Sequence, residues 1–327
     1  MSLVSYSLKQ AYKRVEGLGD RLDAVKDEVD WEGFRPILDK LYQESTPAGG
    51  RPHTDTVLLF KMMVLQSWYS VSDEELEYQC SDRLSFQSFL GFPETVPDYT
   101  TVWKFRERLA KTGLGKKVWS ELQQQLDQKN YKVKKGVIQD ASIIKAYVGR
   151  KRYYKEKQAE KKGETIEYTP RQRSHIDKDG SFTIKNNQVS YGYKLHQKMD
   201  VDHGFIREQD VTTAKDHDNQ IDLVENKDHK AYRDKGYFGS ALKANEVKDK
   251  TMRRATKNNP LNRRDKSYNR TISKIRSPGE RPFAVLKSVF KGGHTRLTTL
   301  ARVAIQQLFA CIGYNIYHLH TVVTKNN

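Results

Sequence analysis

Three carboxylates stand where the local sequence leaves them free to act. Asp140 follows Val137, Ile138 and Gln139, a short run that suits a strand, so it is expected where a strand stops and its side chain meets solvent. Asp234 ends a second short strand, Lys230 to Arg233, and precedes Lys235 and Gly236, which break the pattern. Either residue read alone could be a simple turn or cap aspartate. Glu280 differs in having Arg276, Arg281 and Lys287 close by. Ser277, Pro278, Gly279 and Glu280 also spell a capping box with Pro at the first helical position, so Glu280 could serve only as a cap. Pro282 complicates that register, since it would lack a needed backbone donor, and the helix could begin nearer Glu280 itself. In either case Glu280 and Lys287 are two helical turns apart and project from one face.

Carboxylates gathered from three segments would form an oxygen-rich site for two Mg²⁺ or Mn²⁺ ions, which prefer hard ligands and keep several waters. Two such ions about 4 Å apart can clamp the attacking and leaving oxygens of a phosphodiester exchange. Spacing along the chain does not by itself bring the three together. Other elements must do that.

From about Trp31 to Gln128 the pattern is helical. Thr54 to Tyr69 is apolar on nearly every side from Val57 to Leu65, which suits a helix buried in a bundle. Ser72 and Glu75 form a capping box for the next helix. Pro97 and Asp98 announce a third, in which Val102, Phe105 and Leu109 share one face while Lys104, Arg106 and Arg108 lie on the other. Short helices ending in one that is apolar behind and basic in front suit a helix-turn-helix reader of DNA, although the charges could also merely solvate an outer face.

After Lys132 the period changes, and a domain boundary is expected near Asn130. Residues 1–130 form a helical domain and 131–327 a second one. Tyr191, Tyr193, Leu195, Met199 and Val201 alternate with Gly192, Lys194, His196 and Lys198, a half-buried strand. Asp202, His203 and Gly204 supply a turn, and Phe205 to Val211 the returning strand. From Phe283 the helical period resumes. Helices first, then strands mixed with helices, give an α+β chain with a mixed sheet flanked by helices.

Charge narrows the partner. The 327 residues carry 58 Lys plus Arg against 41 Asp plus Glu, a net charge of +17, which implies a polyanion. Nucleic acid is favoured over a membrane, because no stretch reads as a basic amphipathic anchor. The most apolar segment, Leu300 to His320, is interrupted by Arg302, Gln306, Gln307 and Asn315 and reads as a buried helix. Ala241 to Leu300 holds sixteen basic and four acidic residues, a clustering that suits counterion release from a phosphate backbone. Within it Arg253, Arg254, Arg263 and Arg264 are expected to grip DNA backbone without reading sequence. Residues 145–175 form a second basic stretch with little periodicity, read as an insertion that could be a mobile arm. Met1 to Arg14 does not read as a signal peptide, so a cytoplasmic, nucleoid-associated location is expected. Cys80 and Cys311 form no metal or disulfide pattern and are expected to be buried thiols.

The string from Ile272 to Lys287, Ile-Ser-Lys-Ile-Arg-Ser-Pro-Gly-Glu-Arg-Pro-Phe-Ala-Val-Leu-Lys, resembles the C-terminal signature of DDE transposases, in particular those of the insertion sequence 5 group. That signature sets Arg four before the Glu and Lys seven after it, here Arg276 and Lys287. Gly50-Arg51-Pro52, Ser72 to Leu76, Arg83 to Phe86, Phe89-Leu90-Gly91 and Val96 to Thr101 are similar to the group's helical region. Gln139 to Ser142 resembles the first Asp motif and Asp234 to Tyr237 the second, with Tyr191 to His196 and His217-Asp218 similar to strings between them. Coverage runs from about Trp31 to His318. Ser273 departs from the broader signature, which has Tyr there.

The resemblance implies a ribonuclease H-like fold, a mixed five-stranded sheet that gathers Asp140, Asp234 and Glu280 around two Mg²⁺ or Mn²⁺ ions. It implies hydrolysis of a phosphodiester at a transposon end, then attack of the freed 3′-hydroxyl on target DNA. No covalent protein intermediate is needed. Arg276 and Lys287 would contact DNA phosphate near the reacting bond, and Lys194, with His217, is a further candidate for binding the nucleic acid. Lys104, Arg106 and Arg108 would help recognise the terminal inverted repeats, and a homodimer on paired double-stranded ends is expected. Two rival readings are an inactive transposase-derived DNA-binding protein and a ribonuclease H-like nuclease that only hydrolyses.

Overall fold

The computed structural model describes residues 3–42, 52–147, 150–174, 176–185, 187–257 and 259–326. Gly50 and Arg51 of the first helical motif therefore lie outside the described residues. The chain divides into two compact units, one of Met1–Lys132 with Leu308–Asn327 and the other of Val133–Gln307. From sequence alone, everything after residue 130 falls in one second domain. In the structure the segment from Leu308 groups with the first unit instead.

The first unit is helical, with α1 (Leu3–Glu16), α2 (Arg21–Lys26), α3 (Arg35–Leu38), α4 (Thr56–Tyr69), α5 (Asp73–Asp82), α6 (Leu84–Leu90), α7 (Tyr99–Thr112) and α8 (Gly115–Gln128). Helix α4 starts where the Asp55 carboxylate accepts the Leu58 N–H at 2.8 Å, and it stops at Ser70, whose φ of 55° is left-handed. It is the axle of the unit, with Leu59, Phe60, Met62, Met63, Val64 and Leu65 all buried. Phe60 packs against Phe34 at 4.8 Å and Phe309 at 5.5 Å, and Trp68 meets Tyr317 at 6.1 Å between ring centroids. These rings explain why the chain's last segment groups here. Ser72 is the expected cap, its Oγ accepting the Glu75 N–H at 3.2 Å, but the Glu75 carboxylate accepts from Gln79 and does not complete the box; Asp98 accepts the Thr101 N–H at 2.8 Å.

Helix α7 buries Val102, Phe105 and Leu109 as its spacing predicts. Its three basic residues part company. Lys104 and Arg108 are exposed, with the Arg108 guanidinium 4.2 Å from the centroid of the Tyr42 ring. Arg106, expected from its face to contact DNA, is engaged within the protein. Its guanidinium donates to both Asp73 oxygens at 2.8 and 2.7 Å and to Gln66 Oε1 at 3.2 Å, tying α7 to α5 and α4. A bidentate pair of this kind leaves little of the charge for a partner. Burial pushes the Asp73 carboxyl up, but hydrogen bonds from Arg106 and Gln66 outweigh it and hold the group below its usual range.

The second unit holds a seven-stranded sheet among the described residues: β1 (Val137–Ala146), β2 (Ser181–Lys185), β3 (Gln188–Asp200), β4 (Ile206–Thr213), β5 (Lys230–Arg233), β6 (Lys248–Asp249) and β7 (His294–Thr295). β3 runs antiparallel to β1, β2 and β4, whereas β5 and β7 run parallel to β1 and β6 parallel to β5. The unit also contains α9 (Arg150–Lys161), α10 (Pro170–Ser174), α11 (Arg263–Arg276), α12 (Glu280–Ser288) and the start of α13 (Leu300–Asn326). Among the described residues no helix is long and apolar enough to cross a membrane.

Strand alternation divides the core in two. Val137 and Ala231 face one side with Val224, Ala244 and Val247, while Ile138, Tyr232 and Met199 face the other against Ile272 of α11. The described residues between 145 and 175 are more regular than their composition suggests. They hold the end of β1 with α9 and α10, and Glu156 of α9 accepts from Tyr168 at 3.0 Å. The turn after β3 is fixed by the buried Asp200, which accepts from the backbone N–H groups of His203, Gly204 and Phe205 and from Arg207 Nε at 2.9 Å.

Because Arg106 is a structural tie, Arg106→Ala is expected to destabilise the protein by about 2 kcal/mol in urea unfolding, the scale of hydrogen bonds to a charged group. Lys104→Ala is expected to change stability by less than about 0.5 kcal/mol. Because the Asp73 carboxyl is held low, the Arg106 contribution is present above the unfolded carboxylate pKa and is lost as pH falls through the lower folded value. Equal effects of the two substitutions at neutral pH would contradict this placement.

Candidate active site

Asp140 does not end its strand. β1 continues to Ala146, and Asp140 lies within it opposite Gln197 of β3. What ends is the parallel partner, whose last paired couple is Gln139 with Arg233. Asp140 and Asp234 therefore each follow that couple by one residue on neighbouring strands. Asp234 keeps an extended backbone, φ −77° and ψ −178°, so the strand alternation carries on through it. Both carboxylates thus fall on the face of Ile138 and Tyr232, where α11 packs. β7 joins this flank of β1 only at Lys145. Among the described residues, no strand pairs with that flank between Asp140 and Ile144, and this gap is the mouth of the site.

Helix α11 reaches the mouth with its last residue. Arg276 Nη2 donates to Asp140 Oδ2 at 2.8 Å, while Asp140 Oδ1 accepts the Ala141 N–H at 2.8 Å. Ser277–Gly279 then make one tight turn, and α12 begins at Glu280. The expected capping box at Ser277 is absent. Ser277 is helical, its N–H bonds to the Ser273 carbonyl, and the chain simply passes from one helix to the next. Pro282 then falls in the first turn of α12, where its missing donor costs nothing. Gly279 explains how close the turn comes: a Cβ there would sit 2.7 Å from Ile138 Cγ2, two residues before Asp140. Only glycine permits that approach, and it sets Glu280 beside β1. Glu280 and Lys287 are both exposed and share a helix face.

The second aspartate is shaped by its own loop. Asp234 Oδ1 accepts the Gly236 N–H at 2.8 Å, and a Cβ on Gly236 would lie 2.9 Å from that same oxygen. Tyr237 follows, buried, and its hydroxyl is pushed well above its usual range by burial and by the Asp218, Asp140 and Asp234 carboxylates. Tyr237 and Asp218 escaped the sequence reading as site residues, although both lie in the motifs Asp234 to Tyr237 and His217-Asp218.

A cleft of about 250 Å³ opens here between Ala141 to Ile143, Lys194, His217, Asp218, Gly236 and Arg254. Lys194 is buried, with Nζ 2.9 Å from Asp218 Oδ1 and donating to the Asp216 carbonyl at 2.6 Å. It ties Asp216 and Asp218 to β3 at the cleft wall. His217, Arg253, Arg254, Arg263 and Arg264 are all exposed. Among the described residues no three His, Cys, Asp or Glu side chains are gathered closely enough to hold a metal ion. The structure thus sets Asp140 and Asp234 on neighbouring strands one residue past a shared pair and starts α12 at Glu280 after a turn packed on β1, without closing all three into one ligand set.

If the turn packs as described, Gly279→Ala is expected to cost about 1 to 3 kcal/mol through overpacking. Adding Ile138→Ala removes the atoms it strikes, so the double variant should be more stable than the sum of the two single losses predicts, by about 1 kcal/mol. Strict additivity in urea unfolding would show that the turn does not press on β1.

Comparison with known proteins accords with this geometry. A family model described as Transposase domain (DUF772) matches residues 9–108, and one described as Transposase DDE domain matches residues 131–316. No solved structure matches the chain. The sheet, with β3 antiparallel to β1 and β5 parallel to it, has the α+β, ribonuclease H-like arrangement of such domains, extended here by β2 and β7. With Asp140 and Asp234 on adjacent strands, Glu280 opening the next helix against β1, and the DDE match spanning more than half of the chain, the protein belongs to the DDE transposases of insertion sequences.

Proposed function

We propose that the protein binds the terminal inverted repeats of an insertion sequence of the insertion sequence 5 group, hydrolyses a phosphodiester at each end, and joins the freed 3′-hydroxyl to target DNA. The observation that carries this reading is the Arg276 to Asp140 contact at 2.8 Å, which links the third motif to the first and leaves Asp234 beside them. The donor set suits Mg²⁺ or Mn²⁺, because such ions take one or two carboxylates and complete their shells with water and substrate phosphate. Asp140 and Asp234 supply those carboxylates and Glu280 a third, for two ions. When bound, the ions neutralise charge on the phosphate and ready the attacking oxygen.

The chain's own residues do the rest. Arg276 balances the charge of Asp140 before DNA arrives and then offers its guanidinium to phosphate. Lys287, two turns from Glu280, holds the strand beside the reacting bond. Tyr237, buried and neutral, fills the space behind the aspartates and keeps water from it. Arg263 and Arg264 occupy the first turn of α11, where the helix dipole disfavours cations. Their placement suits an external anion, and with Arg253 and Arg254 they grip the backbone. Lys104 and Arg108 remain candidates for contacts to the terminal repeats.

The test is a cleavage and joining assay on terminal-repeat DNA. Asp140→Asn and Asp234→Asn are each expected to lower Mg²⁺-dependent cleavage by about 100-fold or more, the scale of losing one group that stabilises developing charge. A pre-cut 3′ end should be joined to target by the unaltered protein. Cleavage without joining would identify a nuclease, and binding without either reaction an inactive derivative. Affinity should fall by about 1,000-fold between about 50 and 200 mM salt if about six phosphates are neutralised. A flat salt response would remove the basic segments from the interface.

A further inference from the structure

Helix α5 carries a charge opposite to that of the chain. Asp73, Glu74, Glu75, Glu77 and Asp82 make half of its ten residues acidic, and none is basic. The Glu77 carboxylate accepts the Tyr99 N–H at 2.7 Å and Asp73 holds Arg106, so α5 lies along the flank of α7 on which Tyr99, Trp103 and Arg106 recur at helical spacing. Two rings of that flank face water, Tyr99 at 42 % and Trp103 at 44 % exposure, and Tyr78 of α5 is 61 % exposed. Lys104 and Arg108 stand on another flank of α7. A lone exposed ring is ordinary. Three of them on two joined helices, rimmed by Glu74 and Glu77, mark an interaction surface.

The chemistry of this face selects a cationic partner. Aromatic rings attract guanidinium and ammonium groups, neighbouring carboxylates add to that attraction, and the same carboxylates repel phosphate. The chain itself supplies the complement. Helix α11 has six basic residues against one acidic, and Arg263, Arg270 and Lys274, all exposed, fall in one row along it. Its one acid, Asp265, is taken up in the cap with Asn262 and lies off that row. The basic row runs about 17 Å and α5 about 15 Å, so the two match in length.

We propose that, in the absence of DNA, the α5–α7 face of one copy binds the basic row of α11 in a second copy, and that DNA competes with this contact for α11. The competition rests on the reading of α11, through Arg263 and Arg264, as part of the DNA grip. Tyr78 and Trp103 receive the cationic side chains on their rings, and Glu74 balances their charge. Because each copy carries both surfaces, two reciprocal contacts close a symmetric pair. The charged part of the contact weakens as salt rises.

The experiment follows the full-length protein by sedimentation velocity and by acrylamide quenching of tryptophan fluorescence, at about 50 mM salt, where surface charges are weakly screened. Trp31, Trp68 and Trp119 are buried, so the quenchable signal belongs to Trp103. Without DNA the unaltered protein should associate as its concentration rises, with quenching falling in step. Trp103→Ser should weaken association about tenfold, the scale of an aromatic anchor at an interface. Glu74→Lys with Tyr78→Lys, and Arg270→Glu with Lys274→Glu, should each sediment as a monomer. Mixed together, these two variants should associate again, since every contact then joins opposite charges. A DNA duplex added to the unaltered protein should dissociate the pair and restore quenching.

An unaltered protein that stays monomeric at every concentration overturns the contact, as does a mixture of the two variants that fails to associate. Shielding of Trp103 by DNA in place of its release also overturns it and makes the face a DNA contact. Association that behaves as expected while bound DNA leaves it intact sinks the competition and removes α11 from the DNA grip. If the protein associates but binds no DNA, the competition and the transposase reading fail together, and the contact between copies holds.

Discussion

The contact between Arg276 and Asp140 is the joint on which the rest of the catalytic unit turns. It sets the last turn of α11 against the middle of β1, with side chains 14 % and 27 % exposed, so neither charge is fully hydrated and each relies on the other. Ile272, one turn back along α11, enters the core beside Ile138 and Tyr232, and fixes the helix on the face that carries both aspartates. The turn at Gly279 then has no freedom, since it lies against Ile138. Glu280 arrives beside β1 because of that confinement, not because of any cap of its own.

Behind this joint the sheet is stiffened by charges that never reach the cleft. Lys198 is buried between Glu225 at 2.8 Å and Asp228 at 2.9 Å, and Arg207 reaches Asp200 at 2.9 Å. Arg233, the residue before Asp234, is buried and ties β5 to Thr251 at 2.9 Å, to the Ser240 carbonyl at 2.8 Å and to Asp249 at 2.8 Å. Such pairs add little net stability but are costly to break singly, which favours one arrangement of the strands over others. The end of β5, and hence the location of Asp234, inherits that rigidity.

Much of this was legible in the sequence, and the misreadings have physical causes. The helical period exposed α4 and α7, and the cap residues Ser72 and Asp98 fell where expected. Asp140 was read as a strand end because Ala141 to Lys145 lacks a clear alternation; β3 carries the strand onward there, and only the partner β5 stops. The strand β2 went unread although Phe182 and Ile184 alternate before Asn186 and Asn187, a hairpin signal masked by its basic surroundings. Helical spacing shows which face Arg106 takes, not that Asp73 lies within reach of it. The ion pair of Lys194 with Asp218 is equally invisible to strand alternation. The proximity of Asp140 to Asp234 was the least legible feature, since it depends on register between two strands nearly a hundred residues apart.

Where a divalent cation binds decides what the Asp140 and Asp234 carboxylates do. The most direct measurement is a crystal structure of the protein on terminal-repeat DNA with Mn²⁺, read by anomalous scattering. Mn²⁺ is expected on the Asp140 and Asp234 carboxylates, with Glu280 moving in to complete the set and Arg276 turned toward phosphate. Mn²⁺ bound elsewhere, or an Asp140 that stays paired to Arg276 with no ion beside it, would contradict that placement.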